Sequence, residues 1–310
     1  MTSADAADGT GPGGRPPDPL SRGTTPGAPG PRKSPTRREH ACGAPRLASD
    51  LARAAALAGR PALRAAGPLR TGVDLGTASC VLVVLDGSGE PVWVDSQPSA
   101  ALRDGVVVDF AAAERTVRLL REHAEQALGA ELDSAAAGYP PGIPEADARA
   151  SRYVCEAAGF GKVALVDEVT AAQRTLGVRD GVIVDVGGGS AGAGVFRGGE
   201  LLTLDDRPGG GQHLDLVLAG ALGIGTEEAE ARKREQPRAC LPHAVPWVER
   251  IANSIQLMTA GAEDLPLHLA GGALMLPGAD EIIATYLGRE TVSYPHALLI
   301  TPLGIARSAP

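Results

Sequence analysis

Two short segments carry an acid, a glycine turn and a hydroxyl residue in the same order: Asp74-Leu75-Gly76-Thr77 and Asp185-Val186-Gly187-Gly188-Gly189-Ser190. Each places a carboxylate at the end of an apolar run, just ahead of the turn. Glycine lets backbone N–H groups come close to anionic oxygens, and short turns of this kind form nests that bind phosphate. The aspartates themselves repel phosphate. Their chemistry is to hold Mg²⁺ through its waters and to orient an attacking water. Two such turns facing each other would clamp a triphosphate from both sides.

Two other mechanisms compete for the second segment. Gly187, Gly189 and Gly192 satisfy the G-x-G-x-x-G spacing of a dinucleotide site, and Gly188, Ser190 and Gly192 the G-x-S-x-G spacing of a hydrolase nucleophile elbow. Both need a helix directly after the turn, to aim N–H groups at pyrophosphate or to expose the serine. Here the turn runs into Ala193-Gly194-Val195-Phe196-Arg197-Gly198-Gly199-Glu200-Leu201, which reads as a hairpin. A plain glycine β-turn would leave the matching Asp-x-Gly-Thr of the first hairpin unexplained.

The elements around these turns repeat a grammar. Strands are predicted at 71–77, 80–86 and 91–95, then a helix over 109–128, a strand over 134–139, a helix over 144–158 and a strand over 162–166. A helix from Glu168 to Leu176 links to the second half, with strands at 181–186, 191–197 and 200–204. Helices at 212–222, 226–234 and 246–260, a strand at 265–270 and helices near 277–287 and 299–307 complete it. A hairpin opening each half, followed by alternating helices and strands, argues for two α/β lobes, over 71–176 and 177–310.

Composition separates this body from what precedes it. The first 70 residues carry 11 Lys+Arg against 5 Asp+Glu, whereas the remaining 240 hold 18 against 32. So acidic a body has no field for a nucleic-acid backbone. Val81-Leu82-Val83-Val84-Leu85 is too short to span a bilayer. Cys42, Cys80, Cys155 and Cys240 are widely spaced, which argues against a disulfide framework or a zinc site and for a reducing, cytoplasmic setting. Residues 1–45 hold 9 Pro and 8 Gly with almost no large apolar side chains, the composition of a disordered arm. Leu47, Leu51, Ala55 and Leu57 lie near helical spacing before Pro61. That amphipathic segment, in the stretch 46–70, has two readings: it packs on its own domain, or it docks onto a partner or a shell surface.

The order of the motifs resembles the actin/DnaK-chaperone/sugar-kinase superfamily of ATPases over nearly all of residues 71–310. Gly72–Asp86 is similar to its first phosphate loop, Glu168-Val169-Thr170-Ala171-Ala172 to its first connecting helix, and Asp185–Gly194 to its second phosphate loop. Gly209-Gly210-Gly211, Ala229-Glu230-Ala231-Arg232-Lys233, Leu269-Ala270-Gly271-Gly272-Ala273 and Thr301-Pro302-Leu303-Gly304 follow in the expected order. The resemblance implies a two-lobed, ribonuclease H-like actin fold around a nucleotide cleft, with minimal subdomain insertions. It implies ATP or ADP with Mg²⁺ as cofactor. Asp185, Glu168 and Asp74 would order water and metal, with Asp74 and Asp185 holding Mg²⁺ through water. Gly76, Thr77, Ala78, Gly187, Gly188, Gly189, Ser190, Gly209 and Gly210 would bind the phosphates. Glu230, Lys233, Gly271, Gly272 and Ala273 would reach the adenosine.

Within that superfamily the chain resembles the EutJ proteins of ethanolamine utilisation. The similarity lies in Gly72–Thr77, Arg103-Asp104-Gly105-Val106-Val107-Val108-Asp109-Phe110, Tyr139-Pro140-Pro141-Gly142, Val184–Gly189, Gly209–His213, Thr301-Pro302-Leu303 and the helical leader. It implies a chaperone-like or reactivating role. The expected partner is ethanolamine ammonia-lyase or another pathway or microcompartment protein, with the 46–60 helix as one candidate contact, in a cytoplasm with microcompartments. Nucleic acid and membrane are not expected partners. Three departures stand out. Only about 80 residues separate the first loop from Glu168, and about 80 the second from Gly271, which leaves little room for chaperone insertions or the lysine one of them supplies. Val169 stands where proline is usual, and Ser190 where threonine is usual. These changes spare the backbone nests and touch groups that hydrolysis would use. The alternative function is a non-catalytic actin-like scaffold of the pilus or cell-division kind. A small-molecule kinase is a third class, without a recognisable substrate-pocket signature here.

Overall fold

The computed structural model describes residues 44–61, 64–103 and 105–310. After helix α1 (Ala44–Ala56) come strands β1 (Arg70–Leu75), β2 (Ser79–Leu85) and β3 (Pro91–Pro98) and a small hairpin, β4 (Leu102–Arg103) and β5 (Val106–Val107). Helix α2 (Phe110–Leu128), strand β6 (Ser134–Tyr139), helix α3 (Glu145–Ala157), strand β7 (Lys162–Asp167) and helix α4 (Glu168–Leu176) follow. The second half has β8 (Gly181–Val186), β9 (Ser190–Arg197), β10 (Glu200–Pro208), α5 (Gly211–Leu222), α6 (Thr226–Glu235) and α7 (Pro237–Met258). It closes with β11 (Leu267–Ala270), α8 (Ala279–Leu287), β12 (Thr291–Val292) and α9 (Ile300–Ala306).

The strands make two five-stranded sheets of matching order, β3-β2-β1-β6-β7 and β10-β9-β8-β11-β12. In each, an antiparallel hairpin continues into parallel strands. Alternation sorts the side chains. Cys80, Leu82 and Val84 on β2 face a core under α2 and α3, while Val81, Val83 and Leu85 face a different core shared with the second sheet. On β8, Val182, Val184 and Val186 face α5 and α7, and Ile183 faces that shared core. Period-2 strands buried on both faces read as near-continuous apolar runs for this reason.

Three elements differ from expectation. Pro246 was expected to open a helix, yet α7 runs unbroken from Pro237 with Pro242 and Pro246 inside it. Its buried face of Cys240, Ala244, Trp247, Val248, Ile251 and Ile255 outweighs the lost backbone bonds. Strand β10 extends to Pro208, because Asp205, Asp206 and Arg207 pair with Ala193, Gly192 and Ala191 of β9. The small β4–β5 hairpin, not anticipated, accounts for the Arg103–Phe110 motif: it returns the chain to Asp109, which caps α2 by accepting from the Ala112 amide at 2.9 Å. Asp104 of that motif lies outside the described residues, as do Cys42 and the arm as far as Gly43.

Helix α1 packs on its own body. Leu51 and Ala54 are fully buried against Val81, Val83, Leu85 and Val94 in the shared core. Gly59 donates to the Val94 carbonyl at 2.9 Å, and ion pairs Arg53–Glu90 (2.7 Å) and Arg307–Asp50 (3.2 Å) flank the contact. Opposite it, α9 crosses α4 so closely that a Cβ on Gly304 would collide with the Ala171 carbonyl. Leu51→Ala should therefore cost about 2–5 kcal/mol in urea unfolding. A loss below about 1 kcal/mol would mean that α1 is not part of the core.

Candidate functional site

The two turns are built alike. Asp74 pairs with Val81 across the first hairpin, and the Gly76 amide donates to the Ser79 carbonyl at 3.0 Å. Asp185 pairs with Gly192 across the second, and the Gly187 amide donates to the Ser190 carbonyl at 3.1 Å. Ser79 thus occupies in the first turn the place of Ser190 in the second, an equivalence visible in the spacing but not expected. The turns meet: a Cβ on Gly188 would lie 3.0 Å from the Ala78 Cβ and 3.1 Å from its amide nitrogen.

A third segment clasps the second turn. Gly209 and Gly210 both donate to the Gly189 carbonyl (3.0 and 2.9 Å), Gly211 to that of Gly187 (2.9 Å) and Gln212 to that of Gly188 (2.9 Å). At Gly210 a Cβ would stand 2.5 Å from the Gly187 oxygen, so only glycine fits. The Trp247 indole of α7 donates to the Gly209 carbonyl at 3.0 Å and anchors the clasp. The carbonyls of the turn are thereby taken. Among the described residues, the amides of Thr77, Ala78, Gly188 and Gly189 donate to no protein oxygen. Thr77 is buried, and Ser190 is half-buried.

Beneath the turns three carboxylates converge. Asp185 is buried, and Asp74 and Glu168 keep partial access to solvent. Glu168 opens α4, but Asp167 caps that helix, accepting from the Thr170 amide at 2.8 Å, which leaves the Glu168 carboxylate to the cluster. Burial, then the Asp185 charge, lifts Asp74 to about 7. Burial lifts Asp185 to about 6 against the lowering effect of its hydrogen bond from the Thr301 hydroxyl. Burial and the charges of Asp74, Asp185, Asp206 and Asp167 push Glu168 well above its ordinary value. Asp206 was not anticipated, and Thr301 stood in a motif without a role assigned to its hydroxyl. Asp206 has a sequence signal, standing three residues before the clasp, whereas Thr301 meets Asp185 only through the tertiary fold.

The residues expected at the adenosine end separate into two groups. Gly271 (φ +84°) sits against the second turn, where a Cβ would collide with Val186 and Asp185, and its amide donates to the Ala297 carbonyl at 3.3 Å. Ala273 lies beside Gly211, and Gly272 beside Leu298. A cavity of about 330 Å³ opens from Gly271 along Leu274, Met275, Tyr294 and His296. Glu230 and Lys233 do not line it. Glu230 pairs with Arg234 at 2.6 Å, and Lys233 with Asp215 of α5 at 2.5 Å.

With this geometry in place, comparison with known proteins decides the family. The chain is 36% identical to the ethanolamine utilization protein EutJ of Salmonella typhimurium over 263 residues, 84% of this chain and 93% of that one. The crystal structure of EutJ from Carboxydothermus hydrogenoformans superposes with a TM-score of 0.82 at 38% identity, over 86% of this chain and 99% of that one. The chain belongs to the EutJ family. Residues 98–235 match the model of the MreB/Mbl protein family. MreB5 of Spiroplasma citri, in a structure bound to ADP, superposes at a TM-score of 0.62 and 16% identity, over 76% of this chain and 94% of that one. EutJ proteins and this chain therefore share the actin-like ATPase fold. No helix among the described residues is long and apolar enough to cross a membrane.

The acid cluster sets a pH dependence. A carboxyl raised in the folded state binds its proton more tightly than in the unfolded chain, so its contribution to stability falls as pH rises between the two values. Below the ordinary value of 3.8 both states hold the proton; above about 7 neither does, and the fold then bears the full repulsion. The melting temperature of the nucleotide-free protein should accordingly decline across this window, and Asp74→Asn should flatten the decline. An unchanged slope in Asp74→Asn would show that the cluster does not titrate as described.

Proposed function

We propose that the protein binds ATP with Mg²⁺ across the two glycine turns and serves as a chaperone-like or reactivating factor of ethanolamine utilisation. The observation that carries the nucleotide reading is the set of unengaged amides of Thr77, Ala78, Gly188 and Gly189, held face to face above three acids. Such amides are donors for phosphate oxygens, and the pre-formed turns need no reorganisation to use them. Structures of the more distant MreB5 bound to ADP and AMPPNP are consistent with this use of the fold.

The acids fit a hydrated magnesium ion. Three crowded carboxylates with raised proton affinity would be relieved by positive charge. A magnesium ion usually keeps several of its own waters and is held by one or two carboxylates. Asp74 and Asp185 would hold it through those waters, and when bound it neutralises charge on the phosphates. Glu168, in the same space at the start of α4, would order a water for attack on the terminal phosphate. Ser79, Thr77 and Ser190 lie in the turns where hydroxyls can add to the amide donors. The cavity beside Gly271, bounded by Met275, Tyr294 and His296, would take the base. Catalysis of this kind is positioning plus electrostatics.

Mg-ATP at about a hundred times its dissociation constant should add about 2.7 kcal/mol, several degrees in a thermal melt. Gly188→Val, which fills the gap to Ala78, should abolish that shift. It is a cleaner control than Asp185→Ala, because removing Asp185 changes the repulsion in the acid cluster and leaves the buried Thr301 hydroxyl without its acceptor. Absence of any shift in the parent protein removes the nucleotide reading. Glu168→Gln should retain the shift and lose about a hundredfold in phosphate release; unaltered release takes Glu168 out of the reaction. Ethanolamine ammonia-lyase or shell proteins should be retained in pull-downs in a nucleotide-dependent way. Nucleotide-dependent filaments with no such retention would instead favour an actin-like scaffold.

A further inference from the structure

The two sheets have corresponding hairpin edges, β3 in the first and β10 in the second. They are treated differently. Strand β3 begins and ends on proline, and the chain after α1 lies along it, with Ala58 bridging Val94 and the Gly59 amide donating to the Val94 carbonyl. Strand β10 spans nine residues, and from Glu200 through Asp205 every one is exposed. A long edge strand bearing apolar side chains is a template for adding another strand unless something blunts it.

The register states what such a strand would need. Leu201 pairs with Phe196 and Leu204 with Gly194, so both leucines lie on one face of the sheet. Glu200, Thr203 and Asp205 pair with Arg197, Val195 and Ala193, and so lie on the other. The bulge between Leu201 and Thr203 makes this sorting possible by shifting the alternation, and it pushes out Leu202, which is 55% exposed. The edge therefore offers leucines on one face and acids on the other. Its complement is an extended segment with apolar residues at alternate positions and Lys or Arg between them. A second copy of β10 is a poor complement, since it would bring Glu200, Asp205 and Asp206 against their like with only Arg207 to offset them.

We propose that β10 is the docking edge for an extended basic peptide segment of a partner protein, which adds to the second sheet as a further strand. Main-chain hydrogen bonds supply the affinity, and the leucine and acid faces select the sequence. The docking is separate from the nucleotide turns. It uses the stretch from Glu200 to Asp205, upstream of Asp206.

The test uses the full chain and a fluorescein-labelled synthetic peptide alternating valine and lysine, followed by fluorescence anisotropy at moderate salt. Three comparators accompany it: the same peptide with its central valine replaced by proline, one with glutamate in place of lysine, and the protein variant Leu204→Lys/Asp205→Lys. The expected result is saturable binding, at least about tenfold weaker in each comparator. The proline peptide keeps the charge and loses the strand, so equal binding by it reduces the effect to charge attraction and overturns the proposal. No binding by the parent peptide overturns it as well. So does a parent protein that is dimeric by light scattering and becomes monomeric in the double variant, because the edge would then be filled by a second copy. A melt of the double variant matching the parent excludes misfolding as the cause of lost binding.

Discussion

Asp74, Glu168 and Asp185 share a space in which they cannot comfortably all be anions, and much of the molecule is arranged to hold them there. Each comes from an element with little freedom: the inner strand of one sheet, the inner strand of the other, and the first residue of a helix whose cap is supplied by its neighbour Asp167. Thr301, on the helix that crosses between the sheets, satisfies one oxygen of Asp185. Repulsion maintained by a rigid frame is a standing affinity for positive charge. A cation bound among the three acids would relieve that repulsion.

The frame is rigid because its parts approach more closely than side chains permit. Gly304 lies on Ala171, Gly72 on Ala306, Gly210 on the Gly187 carbonyl and Gly271 on Asp185. At each of these places one methyl group would force backbones apart and change the distance between acids or turns. The clasp of Gly209 to Gln212 serves the same end. It engages the carbonyls of the second turn, so the peptide planes are fixed with their N–H groups facing outward, and Trp247 ties that clasp to the longest helix.

What was legible from sequence followed from local rules. The apolar runs, the glycine punctuation and the repeated acid-turn-hydroxyl order announced both sheets and both turns, since strand alternation and turn chemistry are written within a few neighbouring residues. The misreadings were tertiary in origin. The helix expected to open at Pro246 instead begins at Pro237, because the packing of Trp247 and Ile251 outweighs the prolines inside it. Asp205 and Asp206 look like a loop until β9 is there to pair with them. The partner of Lys233 was hidden for the same reason, since Asp215 lies on another helix, whereas Arg234, the partner of Glu230, stands one turn further along the same helix. The amphipathic segment after Pro45 was legible as a helix, yet nothing local states that its apolar face would be spent on Val83 and Leu85.

That same helix has a consequence for how the chain reaches its native state. The core it seals draws Leu51 from near the start of the described chain, Val169 and Ile183 from the middle, and Leu299, Leu303 and Ala306 from the end. Synthesis proceeds from the N-terminus, so α1 emerges first and its burial site is completed last. Contacts so distant in sequence are slow to form. Until α9 has left the ribosome, the face of the first sheet that bears Val81, Val83 and Leu85 has only part of its cover. An apolar sheet face thus stands partly uncovered during every round of translation, until the end of the chain closes over it.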